Sequence, residues 1–158
     1  MNSILDDLNE SIKKFNINRS EESFNKVVEI VMALLNGEGF IYIPVGISEE
    51  TVRSIKNNGV FDKDKIHIND GASFELRKII SNDNKGLLPC FTDKKKYRPT
   101  PRTALIFSSF KQYLDMAKAY SDIDGIVINP FTDPIVFTKE IIEGLLNDYE
   151  RNKTKNYS

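Results

Sequence analysis

The sequence predicts an α+β domain, in which a mixed and largely antiparallel sheet of about five to seven strands carries helices packed against it. Three observations predict it. Apolar residues recur at helical spacing toward both ends of the chain, at positions 24–35 and 141–149. Between them, short β-branched and aromatic runs follow one another through turns rich in Gly, Asn and Asp. The chain has 158 residues, the length of a single domain, and with 40% hydrophobic residues it is too apolar to stay disordered.

Ser3 is placed to cap a first helix over about 4–14, whose stripe is Ile4, Leu5, Leu8, Ile12 and Phe15. The polar segment 16–19 breaks it. Ser20 opens a stronger helix, with Glu21 and Glu22 at the positive end of its dipole and Phe24, Val27, Val28, Val31, Leu34 and Leu35 along one face. Gly37 and Gly39 are expected to stop it in the left-handed conformation. The run 40–45 reads as a strand, and Pro44, which has no N–H to donate, predicts that this strand lies at an edge or ends there.

Residues 48–58 suggest one or two helical turns. A meander over 64–91 follows, in which Asn69-Asp70-Gly71 makes a three-residue loop that pairs Ile66 with Phe74 and keeps apolar faces together. A helix over 73–80 competes with that assignment, because Leu76, Ile79 and Ile80 also fit a helical period. Residues 82–86 turn the chain into the strand 87–91. A short helix over 94–97, an extended connector through Pro99 and Pro101, and a strand over 104–107 come next. Ser109 caps a helix with Phe110, Tyr113, Leu114 and Ala117 on one face. Ile126-Val127-Ile128 has the wholly apolar character of a strand at a sheet centre, and 135–137 forms the strand beside it. Thr138 caps the last helix, whose stripe is Ile141, Ile142, Leu145, Leu146 and Tyr149. Residues 1–19 thus form an N-terminal helix and linker, 20–150 the domain, and 151–158 a polar tail expected to fray.

Composition excludes several functions. Net charge is −1, so nothing global attracts nucleic acid or an anionic membrane. The lone cysteine, Cys90, and the lone histidine, His67, cannot make a Cys/His zinc site, and no metal or cofactor is expected. No apolar run is long enough to span a bilayer, and Asp6, Asp7 and Glu10 interrupt any secretory leader. Phosphate-cradling glycine loops, a GxSxG elbow and HExxH are all missing. His67 alternates with Ile66 and Ile68, which puts it on the wet side of a hairpin.

Cys90 lies in an apolar strand, where a thiol acts as a small hydrophobe; reactivity would require the helix start at Thr92 to lower its pKa. Asp122, Asp124 and Asp133 bracket the 126–129 strand at no calcium-loop spacing and suit turns and caps. The middle of the chain is locally basic, with ten basic residues against six acidic over 61–103. Its densest part, Lys94-Lys95-Lys96-Tyr97-Arg98 with Arg102, is explained by a solvated face. RNA or an acidic protein partner are its functional alternatives.

The segment Leu88-Pro89-Cys90-Phe91-Thr92-Asp93, followed by Asp124-Gly125-Ile126-Val127-Ile128-Asn129-Pro130-Phe131, resembles the bacterial SseB-like family, with its lpvFT[sd] and GivINP junctions. The strand Phe40–Val45 with its proline also resembles the family's fyvPv start, and the resemblance covers roughly residues 20–147. It implies a small α+β domain of the bacterial cytoplasm with no established catalytic residue or cofactor. In some relatives a further C-terminal domain follows, for which the sequence beyond the last helix leaves no room.

Within those motifs Phe91 suits the core, Thr92 the cap of the following helix, and Asn129 a turn in which its side chain bonds local backbone. If both junctions reach one end of the sheet, Thr92, Asp93, Asn129, Thr132 and Asp133 line a shallow polar groove with Tyr97 as its aromatic wall. The expected function is then a non-enzymatic binding or regulatory module for a protein or small ligand. An enzyme or enzyme accessory in sulfur or amino-acid metabolism acting through Cys90, and RNA association through 94–102, are the alternatives.

Overall fold

Short hydroxylated side chains start the helices where local sequence places them. Ser3 accepts from the amide of Asp6 at the head of α1 (Ile4–Ile17), and Ser20 from that of Ser23 at the head of α2 (Glu21–Asn36). Ser109 and Thr138 do the same for α3 (Phe110–Ala119) and α4 (Lys139–Lys155). Each bond satisfies an amide that the helix itself leaves without a partner. The structure, a computed structural model, describes residues 3–47, 74–98 and 103–155. The expected helical turns over 48–58, the hairpin through 65–73, His67 and the connector prolines lie outside the described residues.

Two helix ends differ from expectation. Gly37 has φ −85°, and the left-handed residue is Glu38 at φ 51°. Gly39 is required for another reason: a Cβ there would lie 2.3 Å from Leu34 Cδ1, so glycine lets the chain fold back against its own helix. At the other terminus, residues 151–155 continue α4 rather than fraying.

Seven strands are described: β1 (Phe40–Ile47), β2 (Phe74–Leu76), β3 (Ile79–Ile80), β4 (Gly86–Cys90), β5 (Thr103–Ser109), β6 (Gly125–Ile128) and β7 (Ile135–Thr138). The competing helix over 73–80 is absent; β2 and β3 occupy that stretch. Four of the five pairings are antiparallel, the exception being β4 with β6, so the α+β class and the mixed, largely antiparallel character hold. The strands divide, however, into a three-stranded sheet, β2-β1-β5, and a four-stranded sheet, β3-β4-β6-β7.

Two prolines explain the division. The sheets touch where Tyr42 and Phe91 exchange backbone hydrogen bonds of 3.2 and 2.9 Å. In that antiparallel register the next hydrogen-bonded pair would be Pro44 with Pro89, and neither carries an N–H, so the ladder stops. Along β1, the side facing away from β5 is occupied by Phe91 at Tyr42 and by β2 at Gly46, with Pro44 between them. Along β4, Pro89 holds the equivalent gap between β3 and β1, and its carbonyl accepts the Tyr113 hydroxyl at 2.6 Å.

The expectation that Pro44 marks an edge is therefore corrected. β1 is the central strand of its sheet and continues to Ile47, because the proline sits where no neighbouring strand asks it for a donor.

One core joins both sheets to the helices. Its members include Leu8 and Ile12 of α1, Val31 and Leu35 of α2, Ile41 and Ile43 of β1, and Ile126 and Ile128 of β6. The helix stripes are largely as the sequence predicts, with Val27, Val31, Leu34 and Leu35 buried on α2 and Ile142, Leu145, Leu146 and Tyr149 on α4. Each such side chain removed from water contributes about 1.5–3 kcal/mol, which offsets the entropy of ordering the chain.

Candidate functional site

The site begins with a register. β4 and β6 run parallel with Cys90 opposite Ile128, so both strands end at the same rim and release residues 91–93 and 129–133 beside one another. The chain leaves β6 through Asn129, whose φ of 55° is a conformation asparagine tolerates better than most residues. Its N–H donates to the Cys90 carbonyl at 2.8 Å.

The Asn129 side chain does not bond its local backbone as expected. It reaches across to Thr92: the Thr92 amide donates to Asn129 Oδ1 at 3.0 Å, and Asn129 Nδ2 donates to Thr92 Oγ1 at 3.0 Å. Nδ2 also donates to Asn9 Oδ1 at 3.4 Å, which ties α1 to the same knot. Both residues are buried, Asn129 fully and Thr92 to 4% exposure. With its hydroxyl spent in this pair, Thr92 does not cap the next turn. Asp93 does, accepting from the Lys95 amide at 2.9 Å, and the predicted helix over 94–97 is a 3-10 turn, Lys94–Lys96.

Around this buried pair lies an exposed rim. Thr132 is exposed and closes its turn by donating its amide to the Asn129 carbonyl at 3.2 Å, while Asp133 beside it is half-buried. Tyr97 is also half-buried; its ring meets Phe91 edge to face at 5.5 Å and its hydroxyl hydrogen-bonds that of Thr103. Phe91 is buried, as the sequence suggests, and on its other side lies the ring of Phe131 at 5.9 Å. Phe131 remains 40% exposed, with the Arg98 guanidinium over its face at 5.2 Å. Lys94 lies over the Tyr42 ring at 5.8 Å.

The structure thus brings together all six residues named from the sequence and separates them by depth. Thr92 and Asn129 form a buried brace, Asp93 and Thr132 are exposed, and Tyr97 and Asp133 are intermediate. Sequence reasoning missed Phe131, Arg98 and Asn9. A signal for Phe131 existed: a large aromatic in a turn headed by Asn-Pro has no core to enter. No signal could have found Asn9, whose part depends on how α1 packs.

The other candidates resolve as packing. Cys90 is fully buried, and burial pushes its thiol well above its ordinary pKa, so the thiolate a nucleophile needs does not form in the native protein. We expect thiol labelling at pH 8 to be at least about a thousandfold slower in the folded chain than in denaturant, as for a group exposed only on opening. Labelling on mixing would show the burial to be wrong.

Asp124 acts as a turn anchor, accepting from the Gly86 amide at 2.9 Å. Asp122 pairs with Lys78 at 3.2 Å, a bond that holds its carboxyl below the ordinary value. Among the described residues, no group of three or more metal-ligating side chains converges, and no helix is long and apolar enough to cross a membrane. A broad cleft of about 1400 Å³ lies between α1 and α2, lined by Glu10, Lys14, Ile17 and Glu22 among others, and none of the six named residues lines it.

A family model described as SseB protein N-terminal domain matches residues 14–144. No curated protein and no solved structure matches the chain.

Proposed function

The chain belongs to the family of the SseB protein N-terminal domain, and from that premise we propose that it is a non-enzymatic binding module of the bacterial cytoplasm. It recognises a protein or small ligand at the rim where β4 and β6 end. The observation that carries this reading is Phe131, an aromatic side chain held 40% exposed at the tip of a turn, backed by buried Phe91 and covered by Arg98. Leaving such a ring in water forgoes part of its burial energy, and an aromatic paired with arginine is a composition enriched where protein surfaces bind.

The contact residues of this reading are Asp93, Tyr97, Thr132 and Asp133, named from the sequence, with Phe131 and Arg98 added. Thr92 and Asn129 act beneath them, holding the two turns at fixed spacing. The fully buried thiol supports a binding role over chemistry at Cys90.

The test compares saturable capture from a bacterial lysate by the wild-type chain, by Phe131→Ser with Arg98→Ser, and by Glu143→Ser on the exposed face of α4. Loss of the captured species in the double variant alone is the expected result. Equal capture by all three overturns the site.

A further inference from the structure

Of the strand edges described here, one is unguarded. β2 and β3 are only three and two residues long. β7 has four, between Pro134 and Lys139. β5, at the outer margin of its sheet, runs for seven residues, Thr-Ala-Leu-Ile-Phe-Ser-Ser, without a charge or a proline. Exposed edges are ordinarily kept short, charged or interrupted, because a row of unpaired backbone groups is a template for another strand.

The hydrogen-bond parity of β5 is fixed at both ends of the ladder. Tyr42 spends its backbone groups on Phe91, and the Phe110 amide donates to the Gly39 carbonyl at 3.1 Å. Ile41, Ile43 and Val45 are therefore the residues bonded to Ser108, Ile106 and Ala104, and the backbone groups of Leu105 and Phe107 point away from β1. Beside this edge the outer sheet face is aromatic. Phe107 is 53% exposed and stacks on Phe40, itself 46% exposed, at 5.4 Å, with Tyr42 at 4.7 Å on its other side.

We propose that β5 pairs antiparallel with β5 of a second copy of this chain, about a two-fold axis at Ile106. In that register Leu105 of one copy and Phe107 of the other form a hydrogen-bonded pair, twice over. The parity requires such a match, since both residues direct N–H and C=O outward. On the outer face each Phe107 lies against the partner copy's Leu105, which extends apolar cover over a ring left half in water. On the inner face the two Ile106 side chains meet.

The occupant is a second copy because the strand carries no charge with which to select a foreign segment, and none to repel its own. Lys111, the nearest cation beyond its C-terminal end, is already engaged by Asp115 at 2.6 Å and Glu150 at 4.0 Å. The contact is isologous, so it uses both edges and closes at two chains.

Sedimentation equilibrium of the full chain from low to high micromolar concentration tests it. A reversible monomer–dimer equilibrium is expected, with nothing larger. Leu105→Pro removes an outward N–H while leaving the donors to β1 intact, and Phe107→Lys places like charges across the new pair. Each should weaken the dimer at least about tenfold, with the helical circular dichroism unchanged. Phe107 is exposed, so its variant keeps the test valid if the proline variant unfolds. A chain that stays monomeric throughout, a dimer indifferent to Phe107→Lys, or assembly beyond two copies overturns the proposal.

Discussion

Asn129→Ala is expected to lower the unfolding free energy by about 4 kcal/mol, a sum of two separable effects. The first is electrostatic. The Thr92 amide and hydroxyl both lose the partner they have at 3.0 Å, in a place where Thr92 is 4% exposed and Asn129 not at all. Each buried polar group left without a partner costs about 1–3 kcal/mol. The second is conformational. At φ 55°, alanine's Cβ is crowded by about 1–2 kcal/mol. Asn129→Gly removes only the first effect and so should be the milder variant by about 1 kcal/mol. Urea unfolding with an unchanged m-value measures both. A loss under about 1 kcal/mol in Asn129→Ala would mean that the pair does not hold the two turns together.

That brace also marks how far the sequence could be followed. The convergence of the two junctions was legible, because an apolar run ending in Phe91-Thr92 and another ending in Asn129-Pro130 both read as strands opening into turns. What polarity alone could not reveal was depth. Thr92 and Asn129 are the residue types that cap and turn at a surface, yet here they satisfy each other inside. Only the parallel register of β4 and β6, set by residues about forty positions apart, decides between the two.

The prolines teach the same lesson. Pro44 read singly means an edge; read with Pro89 across the Tyr42–Phe91 bridge, it means a seam between two sheets. Helix starts, by contrast, were legible throughout, since Ser3, Ser20, Ser109 and Thr138 act on amides three residues away and need no tertiary information.

Gly125→Ala should cost about 3 kcal/mol, at the upper end for overpacking by one methyl group. A Cβ at Gly125 would lie 2.3 Å from the Phe137 carbonyl oxygen and 3.2 Å from Thr138 Cα, both backbone atoms of the neighbouring strand. Neither side can yield cheaply. β6 is held by β4 on one edge and β7 on the other, and β7 passes straight into α4, whose Lys139 amide donates to the Asp124 carbonyl at 3.1 Å.

Gly144 on α4 provides the control, because a Cβ there meets nothing within 4 Å. The same substitution at Gly144 should stabilise the chain by about 0.5–1 kcal/mol through helix propensity and a less disordered unfolded state. If the two alanines shift stability in the same direction, close backbone contact is not the reason for glycine at 125.

The site makes the substitution informative beyond stability. Any outward slide of β6 moves Asn129, four residues on, out of line with Thr92. Gly125→Ala combined with Asn129→Ala should therefore cost less than the two separately, by more than about 0.5 kcal/mol. Strict additivity would show that the start of β6 and the brace at its end respond independently, and that the rim is held by its own hydrogen bonds rather than by the strand beneath it.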